Sequence, residues 1–248
     1  MSSTTDRTIQ YTASIAETPE QVREAQRLRY RVFAGEFGAT LNSLVDGLDV
    51  DEYDEACDHL IVRRADTEEI VGTYRLLPPG RREGLYSDSE FDLSALDGIR
   101  DAVVETGRSC VHPEHRTGAV ITQMWAALGR YALLSGHRYL AGAASVPLHD
   151  GGATAANAWR LAEQNHASPQ ELRVRPLHPW NPEQAPAQQQ RPNYAQLPPL
   201  FRGYLRLGAW VCGPPAHDPE FNVADFFTLL QLDRADQRYV HYFLGDEQ

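Results

Sequence analysis

Glu105 and Arg108 stand three positions apart in the run Asp-Ala-Val-Val-Glu-Thr-Gly-Arg-Ser-Cys-Val-His, residues 101–112, which reads as a strand. Directly after it, Pro113-Glu114-His115-Arg116-Thr117-Gly118-Ala119 is a turn into a helix. A helix start offers peptide N–H groups without intrahelical partners, and such groups bind phosphate oxygens. Arg116 would add charge there, while Gly118 and Ala119 would leave the approach clear. Glu105 and Arg108 would flank this cradle, with an ordinary salt bridge as the competing reading of the pair. His112 and His115 lack a third ligand nearby and the HExxH spacing, so no metal is expected. Ser109 and Cys110 carry nucleophilic atoms, but neither lies in a GxSxG elbow or a known cysteine motif, and Cys110 reads as a small buried strand residue.

A second concentration of charge is acidic. Residues 46–58 hold Asp46, Asp49, Asp51, Glu52, Asp54, Glu55 and Asp58, a run that reads as a solvated loop. It is not a calcium loop, because Tyr53 and Asp54 stand where an EF-hand needs an oxygen ligand and the turn glycine.

The elements that must position these groups follow from pattern. Thr18-Pro19-Glu20-Gln21 opens a helix running to about Phe33, with Val22, Ala25, Leu28, Val32 and Phe33 on its core face. Arg23, Arg27 and Arg31 face solvent, and Arg29 falls near the apolar edge. His59–Val62 and Ile70–Leu77 form a hairpin, in which alternation puts Arg75 on the face of Val71 and Thr73, opposite Tyr74 and Leu76. Gly107 marks a bulge or a close backbone approach in the 101–112 strand. Val120, Ile121, Met124, Trp125, Leu128 and Tyr131 have helical period, Tyr139–Val146 is a strand, and Thr154–Asn165 a short helix. Residues 176–199, with seven prolines, five glutamines and no glycine, form an irregular insertion, and Leu200–Val211 and Ala224–Leu232 are β-rich.

Composition narrows the function classes. The 248 residues suit a single α/β domain spanning 1–248. A net charge of −11 disfavours nucleic acid and anionic membrane as broad electrostatic partners. All 23 basic residues are Arg, which removes Schiff-base and P-loop lysine chemistry. Three dispersed cysteines and a start, MSSTTDRTIQ, without signal-peptide form point to the cytoplasm.

Leu28-Arg29-Tyr30-Arg31-Val32-Phe33, Asp51-Glu52-Tyr53-Asp54, Val71-Gly72-Thr73-Tyr74-Arg75-Leu76-Leu77-Pro78 and Glu105-Thr106-Gly107-Arg108 resemble, in order, the motifs of acyl-homoserine-lactone synthases in the GNAT acyltransferase superfamily. The longer run Glu105–Pro113, the stretch Leu197–Ala209, Asp218 and Phe221-Asn222-Val223-Ala224-Asp225 resemble the ornithine N-acyltransferases and long-chain N-acyl amino acid synthases. Lactone synthases are shorter and lack the C-terminal motif.

That resemblance implies a GNAT fold, a twisted mixed β-sheet flanked by helices and splayed to admit pantetheine. It implies direct attack of an amino acid's α-amine, ornithine's first among candidates, on a (3-hydroxy) fatty acyl thioester carried by acyl carrier protein. Within it, Glu105, Arg108 and Ser109 form the catalytic set, with Glu105 as base and strand amides near Gly107 meeting the oxyanion. Arg29, Phe33, Asp51, Asp54 and Arg75 shape the acceptor pocket, two carboxylates meeting a cationic side chain and an Arg its carboxylate. Val111, Arg116, Gly118 and Ala119 hold pantetheine, which belongs to the donor substrate; no tightly bound cofactor is expected. Arg116-Thr117-Gly118-Ala119-Val120-Ile121 departs from the superfamily's glycine pattern, which fits a carrier-protein donor better than acetyl-CoA. An Arg patch of Arg116, Arg130 or Arg138 would dock the acidic carrier. A lipid-like product raises peripheral membrane contact, with no basic amphipathic helix to support it. The alternatives are acyl-CoA use, lactone synthesis, and a degenerate GNAT domain that senses an amino acid or lipid.

Overall fold

A computed structural model of the protein describes residues 9–41, 43–185 and 191–235. Residues 1–8, which carry most of the leader reading, and 186–190, the centre of the Pro/Gln segment, lie outside the described residues.

The first helix starts where its capping residues require. The Thr18 hydroxyl accepts from the Gln21 amide, and the Gln21 side chain accepts from the Glu17 amide. Helix α1 (Pro19–Tyr30) buries Ala25 and Leu28 and exposes Arg23 and Arg27, then widens into a π turn over Arg31–Glu36. The widened turn carries Phe33 inward, where it meets the Phe221 ring edge-on.

Strands β1 (Tyr11–Ile15), β2 (Asp58–Arg64), β3 (Ile70–Leu77), β5 (Val103–Val111), β6 (Tyr139–Pro147), β10 (Val223–Gln231) and β8 (Trp210–Val211) lie side by side in that order. β9 (Ala216–Asp218) pairs with one end of β10, and β4 (Phe91–Asp92) with β7 (Arg175–Pro176) in a separate two-stranded piece. Every neighbouring pair is antiparallel except β5 with β6, so the sheet is mixed. Helix α2 (Gly118–Leu134) makes the crossover between those two parallel strands, as a parallel connection demands. Its Val120, Met124, Leu128 and Ala132 pack on Leu60, Val62, Val71 and Leu76. Helix α3 (Ala153–Asn165) covers the β6–β10 end through Ala155, Ala158 and Leu161.

Three expectations change. Residues 199–207 form a helix, α4, rather than β structure: Pro199 occupies its first turn, Phe201 and Leu205 share its buried side, and Gly208 ends it at φ +95°. Gly203 lets α4 lie against α2, since a β-carbon there would fall 1.6 Å from the Trp125 ring. The bulge on β5 falls one residue later than Gly107. Thr73 pairs with Cys110 and Arg75 with Gly107, so Arg108 and Ser109 together oppose Tyr74, and Arg108 takes φ +50°. Finally, the acidic run is not a solvated loop, because Asp49 and Asp54 are buried. β1 had no sequence expectation; its five residues alternate toward and away from the core.

Candidate active site

Arg29 is fully buried on α1 and explains the acidic run. Its Nε donates to Asp49 Oδ2 at 2.8 Å, and Nη2 donates to Asp54 Oδ1 at 2.6 Å and to the Asp49 carbonyl. Arg75, on the face that alternation assigns it, donates from Nη1 to Asp51 Oδ1 at 2.6 Å and Asp54 Oδ2 at 3.3 Å. Burial opposes ionisation of Asp54, but the Arg29 charge and its hydrogen bond, with the Asp51 amide and Arg75, bring its pKa down to about 2. His59 is buried in the same network, and burial together with the Arg29 charge lowers its pKa, keeping the ring neutral. Both carboxylates of the expected acceptor pair, Asp51 and Asp54, therefore already accept from arginines, and Asp51 Oδ2 alone of their oxygens is buried with no hydrogen-bond partner among the described residues. No carboxylate oxygen of Asp54 is left for a substrate's cation, which corrects the role expected for it.

Glu105 sits on β5, nearly inaccessible, at the last position where β5 pairs with β6. Its two carboxylate oxygens accept the backbone amides of Ser87 and Tyr86 at 2.8 and 2.6 Å. Burial raises its pKa, against the pull of those hydrogen bonds and of Arg75. Each oxygen keeps a second lone pair for a proton or a water. Arg108 projects from the bulge among Phe33, Tyr86 and Phe221, with its guanidinium carbon 5.3 to 6.0 Å from their ring centres. Its contacts with Asp49 and Asp51 are long, 3.8 and 3.7 Å, and its Nε has no hydrogen-bond partner among the described residues. It is the least saturated arginine of the cluster. Ser109, the second bulge residue, meets the Tyr74 hydroxyl, which also touches Thr106 and Tyr204; burial pushes the Tyr74 pKa up to about 12.

Beyond Glu105 the two parallel strands part. β5 pairs with β6 only over Val103–Glu105 and Tyr139–Ala141, although both strands continue. Thr106 Oγ1 donates to the Ala141 carbonyl at 3.1 Å and closes the base of this V. Gly142 stands at the apex, where a β-carbon would lie 2.2 Å from the Thr106 carbonyl oxygen. Gly142→Ala is expected to pry the apex open and cost about 1–3 kcal/mol, read as a lower denaturation midpoint together with a raised donor KM. Thr106 also lines an apolar cavity with Trp125, Leu128, Leu140, Tyr204 and Leu230. Trp125 thus faces the cavity from α2, whereas Met124 beside it is fully buried in the core, and α4 supplies a further wall through Tyr204 and Leu207.

The expected pantetheine residues divide. Gly118 and Ala119 are exposed in the first turn of α2, where Thr117 makes no side-chain cap, leaving the amides open to a phosphate. Val111 is buried and its carbonyl accepts from Arg116 Nε at 3.3 Å. The Arg116 guanidinium grips Glu36 with two bonds of 2.5 Å, so its charge is already neutralised, and Arg138 similarly faces Asp233. Arg130 is exposed. Glu114 brings a third ligand atom to His112 and His115, within 4.8 Å of theirs, which the sequence reading did not count. The Nδ1 atoms of the two rings are engaged, by the Glu114 amide and by the Tyr11 hydroxyl.

A further acidic group lies outside the residues that the sequence motifs assign to the site. Glu90 comes from the turn before β4, Asp218 from β9 and Asp225 from β10, and one oxygen of each lies within 4.8 Å of the others. Asp218 and Asp225 stood in the C-terminal motif without a role, and nothing in Ser87-Asp88-Ser89-Glu90 signalled the third. Burial and their mutual repulsion raise the pKa of both Glu90 and Asp225, which Arg108 only partly offsets.

Comparison with known proteins places the chain in a family and supports the fold. Residues 28–126 match the acetyltransferase (GNAT) domain. The chain is 32% identical over 250 residues to the L-ornithine N(alpha)-acyltransferase of Rhodobacter capsulatus, covering 95% of each protein. The AHL synthase LasI (TM-score 0.58, 14% identity, 97% of this chain and 100% of that one) shares its fold. So does FeeM, an N-acyl amino acid synthase from uncultured soil microbes (TM-score 0.55, 14% identity, 92% of this chain and 93% of that one).

Proposed function

The chain belongs to the L-ornithine N(alpha)-acyltransferase family and is an N-acyltransferase of GNAT type, and from that premise we propose that it moves a 3-hydroxy fatty acyl group from acyl carrier protein to the α-amine of ornithine. The product would be an N-acylornithine, a lyso-ornithine lipid. One observation carries this reading: the V between β5 and β6 has an apolar cavity at its apex, lined by Thr106, and the underpaired Arg108 leaves β5 two residues further on, among Phe33, Tyr86 and Phe221. A thioester laid in the V would place its acyl chain in the cavity and its carbonyl at the bulge.

The chemistry then divides among residues already located. Arg108 meets the acceptor's α-carboxylate and so orients its amine. Glu105, directly or through a water, takes the proton that the α-ammonium must lose before it can attack. The tetrahedral oxyanion collects hydrogen bonds from amides that the bulge at Arg108–Ser109 frees from the strand ladder. Collapse breaks the carbon–sulfur bond, and the pantetheine thiolate leaves with a proton. The amides of Gly118 and Ala119 meet the pantetheine phosphate. Arg29, Arg75 and their carboxylates hold the wall behind the acceptor, and Phe33 closes it.

Purified protein mixed with ornithine and 3-hydroxyacyl carrier protein is expected to release N-acylornithine, identified by mass spectrometry with the acyl group on Nα. Equal turnover with 3-hydroxyacyl-CoA would overturn the carrier assignment. Absence of any N-acyl amino acid from a folded protein would overturn the acceptor assignment and favour a sensor.

A further inference from the structure

Ornithine carries two amines, and an enzyme that acylates only one must hold the other away and charged. The arginine network is already matched in charge, because Asp49, Asp51 and Asp54 face Arg29, Arg75 and Arg108, and only Asp51 Oδ2 among their carboxylate oxygens is a buried atom without a hydrogen-bond partner among the described residues, 3.7 Å from Arg108. The other acidic group is differently placed. Asp225 is 3% exposed on β10, yet its side chain receives a single hydrogen bond, from Ser145 Oγ to Oδ1 at 2.6 Å. Nothing among the described residues donates to its second oxygen. Glu90 Oε2 is a buried atom with no hydrogen-bond partner among the described residues. Asp218 is held in place by the amides of Glu220 and Phe221 on one oxygen, Oδ1.

We propose that Glu90, Asp218 and Asp225 form the pocket for a primary ammonium, the side-chain end of an acceptor whose α-carboxylate meets Arg108. The proposal rests on the ornithine reading above and gives it a specificity determinant. An alkylammonium has three donors and no acceptor, which matches three carboxylates contributed from three directions. Three atoms spaced by up to 4.8 Å lie up to about 2.8 Å from a common centre, the length of a charge-assisted N–H···O bond. Phe221 ties the two ends together, since its amide orients Asp218 while its ring lies 5.6 Å from the Arg108 guanidinium carbon. Burial and mutual repulsion hold a proton on the empty group, with the Glu90 pKa pushed up to about 9 and that of Asp225 to about 7, and the arriving ammonium supplies the counter-charge that lets the proton leave. An acceptor with an uncharged side chain would leave that repulsion in place and bind more weakly. The pocket also fixes which nitrogen reacts, because the ammonium held there stays protonated and cannot attack.

Ornithine and norvaline, which share a backbone and three side-chain carbons but differ in the δ-ammonium, separate the possibilities. Wild-type protein is expected to favour ornithine over norvaline strongly in kcat/KM. In Glu90→Gln and Asp225→Asn that ratio should fall about ten- to a hundredfold, through ornithine's KM more than through kcat. Near-isosteric amides keep the packing, and unchanged unfolding midpoints would show that the loss is not a folding defect. If wild type shows no preference for ornithine, the acceptor reading fails and this proposal with it. If wild type prefers ornithine and both folded variants keep the full ratio, the pocket is elsewhere and only this proposal falls. Should a chelator abolish ornithine turnover and Mg²⁺ or Ca²⁺ restore it in wild type but not in Asp225→Asn, the carboxylates hold a metal ion and the proposal is overturned.

Discussion

Glu105→Gln is expected to lower kcat by about 10²- to 10⁴-fold, the range a positioned general base supplies. The side chain is well placed to report on its own role, because it performs two tasks that respond differently. As an anchor it accepts the amides of Tyr86 and Ser87 and so fixes the 86–89 turn. Glutamine keeps one acceptor oxygen and turns an amide group toward the other N–H, so the turn loosens and the acceptor KM rises. As a base it must be ionised. Its pKa is raised by burial, so the acid limb of wild-type kcat/KM should fall at a pH above the ordinary carboxylate range. The sign is fixed: activity is present above the raised pKa and lost as pH falls through it. The residual activity of Glu105→Gln should lack that limb. A variant that keeps kcat within a few-fold while only KM rises would make Glu105 a positioning residue and leave the base to be found elsewhere.

How much of this was legible beforehand depended on whether the signal was local. Arg75 could be assigned to a face because strand alternation is a property of neighbouring residues, and α1 could be started at Thr18 because its caps lie within four positions. The strand, turn and helix around 103–134 followed for the same reason, whereas the GNAT architecture followed from the resemblance of the motifs to that superfamily. The burial of Asp49 and Asp54 was not local. Seven acids in thirteen positions look solvated unless Arg29, well before the run in sequence, is known to point at Asp49 and Asp54. The bulge was misplaced by one residue because glycine is the usual tenant of positive φ, whereas here the strand puts Arg108 there and aims a guanidinium into the cleft. α4 was read as strand because Leu, Phe and Tyr favour both states, and only the Pro199 start and Gly208 stop, with Gly203 packed on Trp125, decide it. Glu90 could not be found at all, since its partners lie on β9 and β10, more than a hundred residues away.

The second large effect is on stability. Arg29→Met is expected to cost about 3–5 kcal/mol at neutral pH, because it leaves carboxylates buried without their counter-charge. The loss should exceed that from removing an exposed pair such as Arg64 with Asp66, for which about 0–1 kcal/mol is expected. Burial alone would raise the Asp54 pKa, and the arginines reverse the sign, so Asp54 is the group whose titration reports the network. In the wild type its folded pKa is about 2 against 3.8 in the unfolded chain. Its contribution is therefore fully present above about pH 4 and is lost as pH falls through the folded value. In Arg29→Met the effect of burial is less opposed, so the Asp54 pKa rises and the variant is relieved by acid rather than harmed by it. Denaturant midpoints of the two proteins should thus lie far apart at pH 7 and converge toward pH 4. A constant separation across that range would mean that the variant suffers from lost side-chain packing alone. The same network that consumes Asp49, Asp51 and Asp54 is what leaves Arg108 underpaired at the bulge. Acceptor binding should then weaken in Arg29→Met even where the protein remains folded, because Asp49, released from Arg29, becomes free to neutralise Arg108.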